Sequence, residues 1–342
     1  MKVAIAGATG YSGLELIRLL HQHPQVKIHS LHRMQQGDAP LSELYPHLAH
    51  IYTDLFQPFD PEAIMAEADL LFFATPSGVT SQHAAPFIEA DFPVIDLSGD
   101  FRLPKAVYEA WYHKPAAEPE HLEKAHYGLA ENGGGSGATF ISNPGCYATA
   151  ALLALKPLAE SQYSVNETVI IDAKSGLSGA GKNPTATSHF SRMNGNMQLY
   201  KPDAHQHIPE IEQQLQKWRR GFPAIQFQTS LIPVTRGIFA TLYIKMGLDF
   251  SFKTFYSYYQ QHYQQAPFVR VQPEGTLPEL KQVIGSNFCD IGLVYNERTG
   301  WLTIVSVIDN LVKGAAGQAI QNMNRYFHFD EQAGLDFVPL YP

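Results

Sequence analysis

"VAIAGATGYSGLELIRLL", residues 3–20, decides the fold of the first third of the chain. Val3 to Ala6 form a short apolar run of strand type. Gly7, Gly10 and Gly13 follow at intervals of three, and Leu14, Ile17 and Leu20 then recur at helical spacing. In a strand, glycine turn and helix of this kind, backbone N–H groups approach a pyrophosphate while the helix dipole favours its charge. The spacing is G-x-x-G-x-x-G rather than the commoner G-x-G-x-x-G, so the turn takes its meaning from its strand-to-helix context. It predicts a dinucleotide site on Gly7, Thr9, Gly10, Tyr11, Ser12 and Gly13.

The neighbouring sequence keeps the same rhythm. "VKIHSL", "LLFFATP" and "PVIDLS" are buried-strand patterns, with a helix predicted through "VTSQHAAPFIEA", as in a parallel sheet covered on both faces. Pro24 is expected to stop the first helix just after His21 and His23, a solvated pair suited to the negative end of the dipole. About 20 residues after the glycines, where an NAD site carries an acidic group for the ribose diol, the chain reads "LHRMQQG". Arg33 there pairs with a 2′-phosphate, which predicts NADP(H). "ATPSG", residues 74–78, ends another buried strand at the carboxyl edge and places Thr75 and Pro76 against the cofactor. "GGGSG", residues 133–137, reads as a flexible hairpin or linker without chemistry.

From Thr168 onward "TVIIDA", "QFQTSLIPV" and "GIFATLYIKM" read as long antiparallel strands, and "DIGLVYNERTGWLTIVSVID" as a hairpin turning at Asn296 to Gly300. The fold class is therefore α/β: an N-terminal Rossmann-type dinucleotide-binding domain plus an α+β catalytic and dimerisation domain with a broad, mostly antiparallel sheet. The expected boundaries are 1–145, completed by a C-terminal helix over about 311–342, and 146–310. With 342 residues, 45% of them hydrophobic, the chain can bury a core of this size. A net charge of -8 argues against nucleic acid as a partner and leaves room for a local cationic pocket. The N-terminus enters a strand at once, no later stretch approaches the roughly 18 apolar residues of a membrane span, and cysteine is used only twice. A soluble, cytoplasmic protein without membrane contact is expected.

One of those cysteines is placed for chemistry. In "FISNPGCYATAALLALKP", residues 140–157, Cys146 opens a helix predicted to stop at Pro157, with Pro144 and Gly145 fixing the approach. A helix N-terminus lowers a thiol pKa from its free value of about 8.5 and offers N–H groups to a developing oxyanion. Cys289 has Asp290 beside it and reads as a core residue. A thiolate next to a nicotinamide implies attack on an activated acyl group, loss of the leaving group and hydride transfer to the thioester. "YKPDAHQHIPEIEQQLQKW" supplies His205 and His207 as acid/base candidates, just before a helix that Pro209 and Glu210 can begin. No third ligand completes a metal site around them, so no metal is expected.

"SNPGCYATAALLALKP" resembles the active-site signature of the N-acetyl-γ-glutamyl-phosphate reductase family. "AGATGYSGLELIRLL", "DLSGDFRL", "YGLAE", "SGLSGAGK", "HQHIPEI", "IPVTRGI" and "DNLVKGAAGQAIQNMN" resemble further blocks of that family in the same order, so the resemblance spans nearly the whole chain. It implies NADPH-dependent reduction of N-acetyl-L-glutamyl 5-phosphate to the semialdehyde and phosphate, in arginine biosynthesis, by a homodimer or homotetramer. It implies Cys146 as the nucleophile and His205 or His207 as the acid/base, with His205 the first choice, and Asn310 as a partner of the nicotinamide amide. For the substrate's phosphate and carboxylate, Arg102, Asn143, Lys182 and Arg236 stand in or beside turns. The loop "SGLSGAG", residues 175–181, offers a nest of amides with Ser175 and Gly176 towards substrate and Ser178 and Gly179 towards cofactor.

The chain departs from the family in several places. Gln206 replaces the arginine of H-R-H; His32-Arg33 and Gly37-Asp38 stand where the family has Ser-Arg and Gly-Lys, leaving more of the 2′-phosphate to Arg33; and Ser77 replaces a histidine. Two other readings use the same residues: a reductase of aspartyl phosphate or carrier-bound aminoadipyl phosphate, or a nucleotide-sensing protein without catalysis.

Overall fold

The computed structural model describes residues 1–34, 39–52, 56–133 and 137–341. Two compact units emerge, Met1–Pro144 with Ala316–Leu335, and Gly145–Ala315 with Asp336–Pro342. The strands are β1 (Lys2–Ala6), β2 (Lys27–His32), β3 (Leu70–Phe73), β4 (Val94–Asp96), β5 (Ala125–Tyr127), β6 (Phe140–Ser142), β7 (Val169–Ser175), β8 (Gln198–Leu199), β9 (Ile225–Leu231), β10 (Ile238–Lys245), β11 (Val269–Val271), β12 (Cys289–Asn296) and β13 (Trp301–Ile308). Helices of eight residues or more among the described residues are α1 (Tyr11–Leu20), α2 (Lys105–Tyr112), α3 (Cys146–Glu160), α4 (His207–Trp218), α5 (Phe252–His262) and α6 (Gly317–Tyr326).

The first unit is built on a parallel sheet in the order β2-β1-β3-β4-β6-β5. Val3 to Ala6 and Leu70 to Phe73 are buried without alternation, as strands covered on both faces must be. The strand order reverses at β1, so the crevice beyond the carboxyl ends of β1 and β3 is the topological switch point where α/β sheets take ligands. "VTSQHAAPFIEA" breaks into two short helices, Thr80–His83 and Ala85–Glu89, because Pro86 brings no N–H to continue the first. α1 ends at Leu20, but His23 is no solvated cap. It is buried, its Nε2 lies 2.9 Å from Asn324 Oδ1, and desolvation lowers its pKa. Part of "GGGSG" falls outside the described residues.

The second unit carries a seven-stranded sheet, β11-β12-β13-β10-β7-β9-β8. Four neighbour pairs are antiparallel, while β11 with β12 and β7 with β9 run parallel. β9 and β10, which the sequence suggested as antiparallel strands, are separated by β7. The hairpin β12–β13 turns where expected, with Gly300 at φ 69°. One sheet face lies under α3; on the other, burial alternates along β7 and β10 and leaves Ile170 and Tyr243 exposed.

α3 does not stop at Pro157 but runs through it to Glu160. Proline removes the N–H that the Leu153 carbonyl needs, and the Tyr263 hydroxyl donates to that oxygen instead at 2.5 Å, while the Tyr259 hydroxyl donates to the neighbouring Ala154 O at 2.7 Å. Arg219 closes the helix end by donating to the carbonyls of Leu158, Ser161 and Tyr163. The helix expected over about 311–342 is shorter. After β13 the chain makes a π-turn at Val312–Ala316, α6 ends at Tyr326, and Leu340 N donates to Ile284 O at 2.7 Å.

Candidate active site

Cys146 is the first residue of α3, a half-buried thiol outside any disulfide. Gly145 caps the helix without a side chain, and its own N–H donates to Glu210 Oε1 at 2.8 Å. A Cβ on Gly145 would fall 2.2 Å from His207 Nε2, and a Cβ on Gly314 would fall 2.7 Å from Cys146 Cβ. Two glycines therefore bring the imidazole and the π-turn against the reactive corner. His207 opens α4, and its Nε2 stands 4.0 Å from the other Glu210 oxygen; the Glu210 side chain is fully buried.

His205 is placed differently. Its Nδ1 accepts the His207 backbone N–H at 3.2 Å, and its ring is enclosed by Tyr147, Tyr200, Phe227 and His207. Burial, and then the charges of His207 and Lys201, push its pKa down to about 2. The ring is thus neutral, with Nδ1 engaged by the first turn of α4.

The loop after β7 is not the open nest the sequence suggested. The amides of Gly176, Leu177 and Ser178 donate to the carbonyls of Gly237, Val234 and Thr235, and those of Gly179 and Gly181 close on Gly176 and Ser178. Ser175 donates to Gly176 O at 2.9 Å. Asn310 ties three segments together: its Oδ1 accepts from Gly237 N at 2.6 Å and its Nδ2 donates to Ser178 Oγ at 3.0 Å. Arg236 is held in a fork by Asp309, with Nε 3.0 Å from Oδ2 and Nη2 3.1 Å from Oδ1, and Asp309 also accepts the N–H groups of Gly285, Leu311 and Val312. Lys182 is exposed beyond this knot. Sequence reasoning missed Glu210 as a tether, Asp309 and Gly314. The only signals were a glutamate in the first turn of a helix, an Asp-Asn pair ending a strand, and a glycine in a helix-like tail.

In the first unit Gly7 adopts φ 84°, and a Cβ there would lie 2.5 Å from Ala74 O, so the glycine turn and the "ATPSG" turn meet across the switch point. Gly10 caps α1 without a side-chain bond, leaving the first-turn amides of Tyr11, Ser12 and Gly13 without partners within the helix. Tyr45 Oη donates to Thr9 O at 2.7 Å. A pyrophosphate fits this cradle, which a side chain at Gly7 would fill. The Arg33 guanidinium stacks on Phe56 at 4.2 Å and donates to Ala39 O. His32 is turned inward, bonded to Pro58 O and Ser30 Oγ; Gly37 and Asp38 lie outside the described residues.

Thr75 bonds the Thr80 hydroxyl, and Pro76 is exposed. Arg102 is buried, donating from Nε to Asn143 O and from Nη2 to Leu97 O, each at 2.8 Å. Asn143 faces inward too, its Oδ1 accepting from Asn322 at 3.1 Å.

Residues 2–131 match the NAD binding domain of semialdehyde dehydrogenases, and residues 146–310 match their dimerisation domain. Two proteins named N-acetyl-gamma-glutamyl-phosphate reductase, from Listeria monocytogenes serotype 4a and Streptococcus gordonii, are 55% and 53% identical to this chain over the whole of both partners. The chain belongs to the N-acetyl-gamma-glutamyl-phosphate reductase family. In fold this reductase is similar to aspartate semialdehyde dehydrogenase II of Vibrio cholerae complexed with ASA, at TM-score 0.67 and 17% identity over 96% of this chain and 98% of that one. It is likewise similar to the Candida albicans aspartate semialdehyde dehydrogenase with NADP, at TM-score 0.64 and 18% identity over 97% and 98%. Among the described residues of the reductase no helix is long and apolar enough to cross a membrane, and no group of three or more His, Cys, Asp or Glu gathers as metal ligands would.

Proposed function

We propose that the chain reduces N-acetyl-L-glutamyl 5-phosphate to N-acetyl-L-glutamate 5-semialdehyde and phosphate through a thioester on Cys146, as a step of arginine biosynthesis. The observation that carries this reading is the corner at Gly145: the imidazole of His207 packs against the residue before Cys146, and the Glu210 carboxylate reaches both. His207 is the acid/base in this scheme and His205 its buried support.

The imidazole takes the thiol proton and the sulfur attacks the acyl carbon; the C–O bond to phosphate breaks and phosphate leaves with the bonding pair. First-turn amides of α3 hold the oxyanion of each tetrahedral intermediate. NADPH, when bound, supplies the hydride that reduces the thioester. Protonated His207 gives its proton to the resulting hemithioacetal oxygen and recovers it as the C–S bond breaks, which releases the aldehyde and restores the thiolate. The glycine turn and the first turn of α1 would hold the dinucleotide phosphates, with the Ala74–Gly78 turn against the cofactor and Arg33 at the 2′-phosphate. Arg236, oriented by Asp309, and Lys182 are the cations of the second unit assigned to substrate. The open face of the seven-stranded sheet, with Ile170 and Tyr243, pairs with a second copy in a homodimer, alone or within a homotetramer.

Phosphate-dependent oxidation of the N-acetylated semialdehyde with NADP tests the reaction. A Cys146→Ser variant is expected to bind NADPH and turn nothing over. Faster turnover of aspartyl phosphate than of the acetylated substrate would instead identify the rival reductase.

A further inference from the structure

The turn Ala74–Gly78 faces Gly7 across the switch point, yet its own shape is set from behind. Asp100, fully buried in the loop after β4, receives the Gly78 N–H on both carboxylate oxygens (2.7 and 2.9 Å), the Ser81 N–H on Oδ2 (3.0 Å) and the Tyr108 hydroxyl on Oδ1 (2.7 Å). Gly78 sits at φ 89°, so the turn is bent into this carboxylate at a residue for which that angle is accessible. Asp96 holds the other end: Thr75 bonds Thr80, the Thr80 hydroxyl donates to Asp96 Oδ1 (2.9 Å), and Ser98 bridges the two carboxylates, donating its hydroxyl to Asp96 Oδ2 (2.8 Å) while accepting Asp100 N–H (3.1 Å). Thr75 and Gly78, at the two ends of the turn, are thus tied to two buried carboxyl groups four residues apart. Burying two such groups side by side is costly. Burial, and next the like charge of Asp100, raise the pKa of Asp96 accordingly.

We propose that Asp100 is a positioning residue for the dinucleotide, holding the Ala74–Gly78 turn in the shape that receives the cofactor. The inference rests on the NADPH-dependent reading above. The groups bonded to its two oxygens, the N–H of Gly78 and Ser81 and the Tyr108 hydroxyl, are all donors. An amide of the same shape would set its own N–H₂ against the N–H of Gly78 or Ser81. The turn then shifts while the glycine turn at Gly7, the Cys146 corner and the acyl-phosphate cations keep their partners.

NADPH titration by fluorescence of full-length Asp100→Asn, together with steady-state kinetics, tests this. The expected result is a rise on the order of tenfold in the NADPH dissociation constant and in its KM, with the KM for acyl phosphate and the alkylation rate of Cys146 in the absence of cofactor changed less than twofold. A merely structural lesion moves all of these with the unfolding temperature. NADPH affinity within twofold of wild type in a folded variant overturns the proposal. If Asp100→Asn does not fold, Tyr108→Phe decides, since it removes one donor and keeps the carboxylate: weakened NADPH binding supports the role and unchanged binding overturns it. Wild-type protein that binds no NADPH refutes the cofactor reading itself, a result separate from either outcome.

Discussion

The backbone N–H of Gly145 donates to Glu210 across 65 residues of sequence, at 2.8 Å, and so ties the start of the cysteine helix to the start of the histidine helix. The second carboxylate oxygen stands 4.0 Å from His207 Nε2, so one carboxylate meets both helix starts. Glu210→Gln keeps an acceptor for Gly145 and removes the charge. Its kcat is expected to fall by about 10- to 100-fold, with the pKa of the acidic limb of the pH–rate profile lowered and NADPH affinity unchanged. An unaltered limb would show that the carboxylate does not act through His207.

Burial, and then the charges of His207 and Lys201, hold His205 neutral down to about 2. The acidic limb of kcat is therefore expected to survive in His205→Asn and to vanish, with most of the activity, in His207→Asn. Stability follows the same sign: below pH 6.5 the unfolded chain binds a proton at His205 that the folded chain refuses, so His205 costs stability increasingly as pH falls from 6.5 towards 2. Urea midpoints of wild type and His205→Asn between pH 7 and 4 check this, the variant losing less stability as the pH drops.

Asp96 works in the opposite direction. Its pKa is raised to about 7, so above the unfolded value of 3.8 the unfolded chain releases a proton that the folded chain keeps. Its contribution is full at low pH and is lost as pH rises towards 7. Asp96→Asn is expected to show a shallower decline in urea midpoint than wild type between pH 5 and 7. Parallel curves for the two proteins would count against a buried neutral carboxyl.

Gly314 sets how closely the π-turn approaches the thiol. Gly314→Ala places a methyl 2.7 Å from Cys146 Cβ, so either the turn or the cysteine must move. The expected cost is about 1–3 kcal/mol of stability, with a slower reaction of Cys146 with iodoacetamide and a lower kcat. Thermal unfolding and alkylation kinetics check the pair of effects, and a variant reacting at the wild-type rate would place the turn away from the sulfur.

Much of this protein was legible in its sequence because the signals are local. Buried-strand runs without alternation gave the parallel sheet, Gly7, Gly10 and Gly13 gave the turn between β1 and α1, and Asn296 to Gly300 gave the hairpin. Cys146 was visible at a helix start because glycine and proline precede it. The errors arose where a distant group changed the meaning of a local one. Pro157 reads as a helix stop until Tyr263 supplies a hydrogen bond to the carbonyl it orphans. His23 reads as solvated until Asn324, 301 residues away, encloses it.

By itself, then, the sequence determined the periodicities, the turns and the chemical types available: one thiol at a helix start, two histidines beside another and a glycine turn after a strand. Only the tertiary structure decided which histidine stands against Gly145, that Glu210 and Asp309 bond Gly145 and Arg236, and that Asp96 and Asp100 tie down the Ala74–Gly78 turn. Hydrophobic pattern and turn chemistry act over a few residues and are written along the chain, whereas a hydrogen bond between buried groups depends on two segments meeting in space, which no spacing within either segment records.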